Sequence, residues 1–264
     1  MMAKNCKITL IGAGNVATHL GKALKERGFL IQQVYSRTLQ SAKELGLTLN
    51  VAFTNDINYI NKDADIYIFS VKDSALPQLL QQLPSLQGLL VHTAGSLPLD
   101  VFNVNKYNRY GVLYPLQTFS KNRVISFQNI PIFVEANNTN DESLLLELAS
   151  HISDNALKLS SEKRKQLHLA AVFACNFVND MYVNAADILE RENLSKDYLL
   201  PLIKETASKI KEMHPRDAQT GPAVRYDTNV INKHLELLKY DSAKATVYKT
   251  LSDDIHKQAS LKGE

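Results

Sequence analysis

The stretch KITLIGAGNVATHLGKAL, from Lys7 to Leu24, sets Gly12, Gly14 and Ala17 as G-x-G-x-x-A between a short strand-forming run and a helical pattern. In that context the motif suits a dinucleotide's pyrophosphate. Gly12 permits the tight turn, Gly14 lets phosphate oxygens approach the backbone, and Ala17 lets the helix lie close on the strand. The free N–H groups at the helix start, around Asn15 and Val16, would face the phosphates with the positive end of the helix dipole behind them.

The next strand decides which dinucleotide is expected. It ends Val34-Tyr35-Ser36-Arg37-Thr38, where an NAD site usually carries Asp or Glu for the ribose 2′-hydroxyl. No acid is present. Arg37 offers a planar fork of donors and Ser36 and Thr38 add hydroxyls, a set that suits a 2′-phosphate and predicts NADP(H). Two further strand ends should line the same crevice. Ser70-Val71-Lys72-Asp73 would run under the nicotinamide ribose, and His92-Thr93-Ala94-Gly95-Ser96 would let backbone come close to the nicotinamide. The cofactor-binding set is therefore Gly12, Gly14, Asn15, Val16, Ala17, Ser36, Arg37, Thr38, Val71, Lys72, Thr93, Ala94 and Gly95.

These residues need a parallel sheet behind them. The first half alternates short apolar, β-branched runs with helical stretches, the pattern of a doubly wound, mainly parallel α/β sheet of the Rossmann kind. Strands are predicted at Lys7–Ile11, Ile31–Tyr35, Ile66–Val71, Leu89–His92, Val112–Tyr114, Pro131–Glu135 and Ala156–Leu159, with a helix over Asp141–Asp154. After Ser160 the strand signals stop. Ser161–Glu190 carries apolar residues at helical spacing without Pro or Gly, and helices are expected at Lys196–Met213, Thr228–Leu238 and Ser242–Lys257. The predicted division is 1–159 for the nucleotide-binding domain and 160–264 for an all-α domain that completes the cleft and dimerises.

Bulk properties narrow the classes. With 264 residues, 45% of them hydrophobic, the chain can bury a substantial core. Its 30 basic and 27 acidic residues are interspersed, so no strong field points to nucleic acid or an anionic membrane. No segment approaches the roughly 18 apolar residues of a membrane span, and a soluble cytoplasmic protein is expected. Cys6 and Cys175 read as two separate buried thiols. The motifs of serine hydrolases, zinc proteases, C-x-x-C metal or redox sites and P-loop nucleotide-binding proteins are absent, and no metal site is predicted.

IGAGNVA, YSRT, ADIYIFSVKD and HTAGS together resemble the NADP-binding domains of pyrroline-5-carboxylate reductases, deazaflavin-dependent NADP oxidoreductases and the β-hydroxyacid dehydrogenase superfamily. GVLYPLQTFSK, LHLAAVFACNFVN and AQTGPAVRYD resemble the Rossmann-like proteins whose C-terminal portion is the domain of unknown function 2520. That resemblance covers nearly the whole chain. It implies a helical second domain like that of 6-phosphogluconate dehydrogenase, pairing into homodimers, and it implies no particular substrate. The β-hydroxyacid dehydrogenases carry a catalytic lysine four residues before an asparagine on the first long helix of that domain. Here Val172 stands four before Asn176, so that mechanism does not transfer.

The same helix offers His168. At about 100° per residue Asn179 lies only about 20° around from it and Asn176 about 80°. His168 is the candidate donor of the proton that accompanies hydride transfer, Asn176 and Asn179 candidate substrate-orienting amides, and Lys72 a group to polarise a carbonyl or pair with phosphate. These side chains could equally serve an interface within an apolar helix. Tyr114, Gln117 and Thr118, at a strand end, and Gln219, Thr220 and Arg225, in a glycine-containing turn, are candidate substrate contacts. Both stretches also read as ordinary loop structure. The expected function is transfer of a hydride between NADP(H) and a small carbonyl or imine substrate, the alternative being a non-catalytic NADP(H)-binding sensor or regulator.

Overall fold

The computed structural model describes residues 5–105 and 107–261. KITLI forms β1 (Lys7–Ile11), four of whose five residues are buried, as expected of a strand covered on both faces. It pairs with β2 (Leu30–Tyr35) on one side and β4 (Ile66–Phe69) on the other. β3 (Ala52–Thr54) lies outside β2, while β5 (Leu89–His92) and β6 (Tyr110–Pro115) follow β4. β7 (Ile132–Ala136) runs antiparallel to β6, and β8 (Ala156–Lys158) parallel to β7. The order β3-β2-β1-β4-β5-β6-β7-β8 reverses direction at β1 and β4, and ligands of such sheets sit beyond the strands' carboxyl ends at that point.

Helices cover both faces. α1 (Asn15–Glu26), α2 (Leu39–Leu49) and α4 (Thr139–Ile152) share a core with the sheet that includes Leu10, Leu20, Leu45 and Leu148. On the other face α3 (Leu76–Gln82) packs Leu76 and Leu80 with Tyr67, Phe69 and Phe102. The doubly wound sheet followed by helices alone is the predicted fold class. β3 was not predicted. It has three residues, and what makes it a strand is backbone pairing with β2 rather than any pattern of its own. The strand predicted to reach Val71 ends at Phe69, with the Ser70 N–H still donating to the Ile11 carbonyl at 2.8 Å.

After the sheet come α5 (Ser161–Ala171), a π-helical stretch over Val172–Phe177 and α6 (Val178–Arg191). The helix expected at Lys196–Met213 begins as a 3₁₀ turn, continues as α7 (Leu200–Lys209) with Pro201 in its first turn, and gives way to α8 (Pro215–Ala218). α9 (Thr228–Leu237) and α10 (Ser242–Ser260) start at aspartate caps, Asp227 accepting from Val230 N–H and Asp241 from Lys244 N–H.

Two compact units result, Met1–Cys175 and Asn176–Glu264. The seam therefore falls later than residue 159, because α5 is bound to the sheet unit. The fully buried Arg164 of α5 donates to Glu135 Oε2 of β7 at 2.6 Å and to the Leu97 carbonyl at 2.5 Å. In the second unit the buried side chains among the described residues are few, Ala223, Ile231, Leu238 and Ser252, while Tyr198, Leu202, Ile210 and Leu237 are each more than half exposed. Among the described residues no helix is long and apolar enough to cross a membrane.

Candidate functional site

The glycine turn is built as its sequence requires. Gly12 has φ +116°, its N–H donates to the Tyr35 carbonyl at 2.7 Å, and a Cβ there would lie 2.4 Å from the Ser70 carbonyl oxygen. Only glycine fits. Gly14 caps α1 with no side chain over the helix end and no acid in the first turn, and space above it is open. Ala17 is fully buried. The N-terminus of α1 is thus a bare, positively polarised end.

This end opens into a cavity of about 510 Å³ that Ser36, Arg37, Val71 and Lys72 also line. Its lining includes Tyr35, Ser41, Gln78, Leu79, Gln82 and Lys121, and contains no Asp or Glu. Arg37, Lys72 and Lys121 form no ion pair among the described residues. An uncapped helix end, three available cations and no carboxylate fit a dinucleotide with a third phosphate. Thr38 departs from expectation. It is absent from the lining, and its hydroxyl donates to Ser41 Oγ at 2.9 Å, while Ser41 lines the cavity with Ser36.

Farther along the strand ends, the Thr93 hydroxyl lies 3.2 Å from Ser70 Oγ, and Ala94 N–H donates to His92 Nδ1 at 3.2 Å. His92 is a buried structural residue. Its pKa is pushed down to about 3, first by burial and then by the charge of Arg164, with the Pro98 carbonyl opposing. Thr93, Ala94 and Gly95 do not line the 510 Å³ cavity. Gly95 instead lies beneath His168, where a Cβ would stand 2.6 Å from Nδ1.

The imidazole of His168 is half-buried and its Nδ1 is 3.0 Å from the Tyr114 hydroxyl. Burial raises the Tyr114 pKa, against a lowering by Arg164, so the phenol is neutral and able to donate. When it donates to Nδ1, the proton of the neutral imidazole sits on Nε2. Arg164, one turn before His168, forms the buried network with Glu135, Ser161 and the Leu97 carbonyl that holds α5 to the loop after β5. Neither Arg164 nor Glu135 was singled out by the sequence, in which they fall within a predicted helix and at the end of a predicted strand.

The remaining candidate residues are placed by their own local surroundings. Gln117 Oε1 accepts from the Thr118 N–H at 2.7 Å, and both residues are exposed. Asn176 and Asn179 are exposed residues of the second unit, and the π-helical stretch between His168 and Asn179 removes the constant 100° step on which a shared stripe depended. Cys175, in the same stretch, is exposed rather than buried, and Cys6 is buried. In the second unit Gln219 donates to the Thr220 carbonyl at 3.1 Å and Arg225 is exposed. Thr220 lines an apolar cavity of about 410 Å³, whose Lys244 is already paired with Asp187 and Asp241.

Comparison with known proteins gives a consistent assignment. Residues 7–93 match the family model described as NADP oxidoreductase coenzyme F420-dependent, and residues 130–255 match the domain of unknown function 2520. The structure of BF3122 from Bacteroides fragilis, a proposed NADP oxidoreductase, is 48% identical with a TM-score of 0.90, covering 97% of this chain and 99% of that one. Protein TM1727 from Thermotoga maritima is 23% identical with a TM-score of 0.78, covering 96% and 99%. An imine reductase from Myxococcus stipitatus in complex with NADP+ shares the fold at 15% identity, with a TM-score of 0.66 and coverage of 97% and 93%. No match was found among curated proteins.

Proposed function

The chain belongs to the family of NADP oxidoreductases whose C-terminal part is the domain of unknown function 2520, and on that premise we propose that it interconverts a small carbonyl or imine compound and its reduced form. The observation that carries this reading is the pairing of His168 Nδ1 with the Tyr114 hydroxyl, 3.0 Å apart, above Gly95 at the end of β5. NADPH, when bound, supplies the hydride. The chain's residues do the rest. The bare end of α1 and Gly14 hold the pyrophosphate, and Arg37 with Ser36 and Ser41 holds the 2′-phosphate. That Lys72 lines the same cavity as Arg37 supports a phosphate or ribose contact for it.

His168, in its doubly protonated form, then delivers the Nε2 proton to the oxygen or nitrogen of the substrate and is left as the neutral ring, while its Nδ1–H donates to the Tyr114 hydroxyl. Asn176, Asn179, Gln117, Thr118, Gln219, Thr220 and Arg225 remain candidates for substrate contact on chemistry alone. The apolar side chains exposed on the second unit support a homodimer in which a second copy covers them. Two cysteines far apart in the sequence suit the reducing cytoplasm.

A second reading keeps the cofactor and drops the turnover. It is favoured by Val172, which replaces the lysine of the β-hydroxyacid dehydrogenases, and makes the chain an NADP(H)-responsive regulator. The two separate in one experiment. NADPH consumption is followed with a panel of small imines and ketones: turnover of any member supports the reductase, whereas tight NADPH binding without turnover across the panel favours the regulator.

A further inference from the structure

Residues 116–131, between β6 and the antiparallel β7, bring a lysine back to the glycine turn. The start of this segment is fastened to α1. Asn15 Nδ2 donates to the Phe119 carbonyl at 2.8 Å, and His19 Nε2 lies 2.9 Å from the Ser120 carbonyl. A carbonyl only accepts, so Nε2 of His19 carries a proton. The His19 ring stacks on Phe119 with centroids 5.2 Å apart, and Phe119 stacks in turn on Phe127 at 5.6 Å. His19 is 5% exposed. The residue that follows this latch is Lys121, so its backbone is set by α1 rather than by a free loop.

Lys121 lines the same cavity as Gly14, Arg37 and Ser41, where no carboxylate competes for it. A smaller groove on its other side presents Lys22, Arg27 and Arg123 against Glu26 alone, so the potential there is positive as well. An ammonium held among cations beside an uncapped helix end has no carboxylate partner among the described residues, and the cavity is where an anion would supply the counter-charge.

The geometry points to Lys121 as a phosphate-binding residue for the dinucleotide, held beside the N-terminus of α1 by Asn15 and His19. This rests on the cofactor assignment above. It also gives Asn15 a different task from the one its place in the glycine motif suggests, since its amide is used to hold the loop.

The test uses the full chain with Lys121→Gln, an exposed substitution that removes the charge and keeps a polar side chain one atom shorter. NADPH and NADH are titrated separately, following nicotinamide fluorescence at low salt. Removing a charge-assisted hydrogen bond to phosphate should weaken binding by about tenfold. Weakening for both cofactors assigns Lys121 to the pyrophosphate, and weakening for NADPH alone assigns it to the 2′-phosphate. Unchanged affinity for both overturns the inference while leaving the cofactor assignment intact. If the unmodified chain binds neither nucleotide, the cofactor assignment falls and Lys121 with it.

Discussion

Gly95 and His168, 73 positions apart in the chain, approach so closely that the glycine has no room for a side chain. A Cβ built on Gly95 would lie 2.6 Å from Nδ1, 2.7 Å from Cγ and 2.9 Å from Cβ of His168. The last of these distances matters most, because ring rotation cannot relieve a clash with the histidine Cβ. Gly95→Ala must therefore move α5 away or displace the loop, and either breaks the 3.0 Å pairing of His168 with Tyr114. A shift of about 1 Å in a catalytic group predicts a loss of about a hundredfold in kcat. NADPH affinity should change far less, because Gly95 does not line the dinucleotide cavity. Parallel measurement of kcat and NADPH Kd checks the split; equal losses in both would return Gly95 to the cofactor site.

The proposed task of Arg37 is the choice of cofactor. The residue is exposed at the end of β2, lines the cavity and has no carboxylate partner among the described residues. Arg37→Glu reverses the charge at the 2′-phosphate and should weaken NADPH by tenfold or more while leaving NADH unchanged or improved. Titration of the variant with both nucleotides reads the ratio, and an unaltered preference would place the 2′-phosphate elsewhere.

His92 gives the fold an acid-sensitive point. Its pKa falls from 6.5 to about 3 on folding, because burial and then the nearby Arg164 disfavour the imidazolium. Above pH 6.5 the residue is neutral in both states and costs nothing. Below it, the unfolded chain takes up a proton that the folded chain refuses until about pH 3. Stability should fall by about 1.4 kcal/mol per pH unit through that window from this group alone. His92→Asn keeps an acceptor near Ala94 N–H and removes the titration. Denaturant unfolding at pH 7 and pH 4.5 should show a smaller acid loss in the variant; identical losses would mean that other groups account for it.

How much of this was legible in the sequence follows from the range of each interaction. The glycine turn, the long strands and Arg37 are local patterns, a β-forming run followed by small residues or by a cation. Tyr114 and His168 were each visible as candidates, but their pairing spans 54 positions and depends on α5 being bound to the sheet by Arg164 and Glu135. Ser41 and Lys121 reach the cavity because α2 and the segment after β6 are placed by distant partners, which no local pattern encodes. β3 is a strand only through its neighbour. The change of pattern at residue 160 is real as chemistry, yet packing assigns the first helix beyond it to the sheet unit. The stripe linking His168 with Asn176 and Asn179 assumed one helical period, and the π-helical turn at Val172–Phe177 does not keep it.

If His168 supplies a proton during reduction and plays no part in holding the nucleotide, its removal must separate binding from turnover. The direct measurement compares the unmodified chain with His168→Ala, recording NADPH affinity by fluorescence and NADPH oxidation with a turned-over imine or ketone. The expected result is unchanged affinity with a fall in kcat of about a hundredfold or more, the range for removal of a general acid. Full activity in the variant would contradict that role.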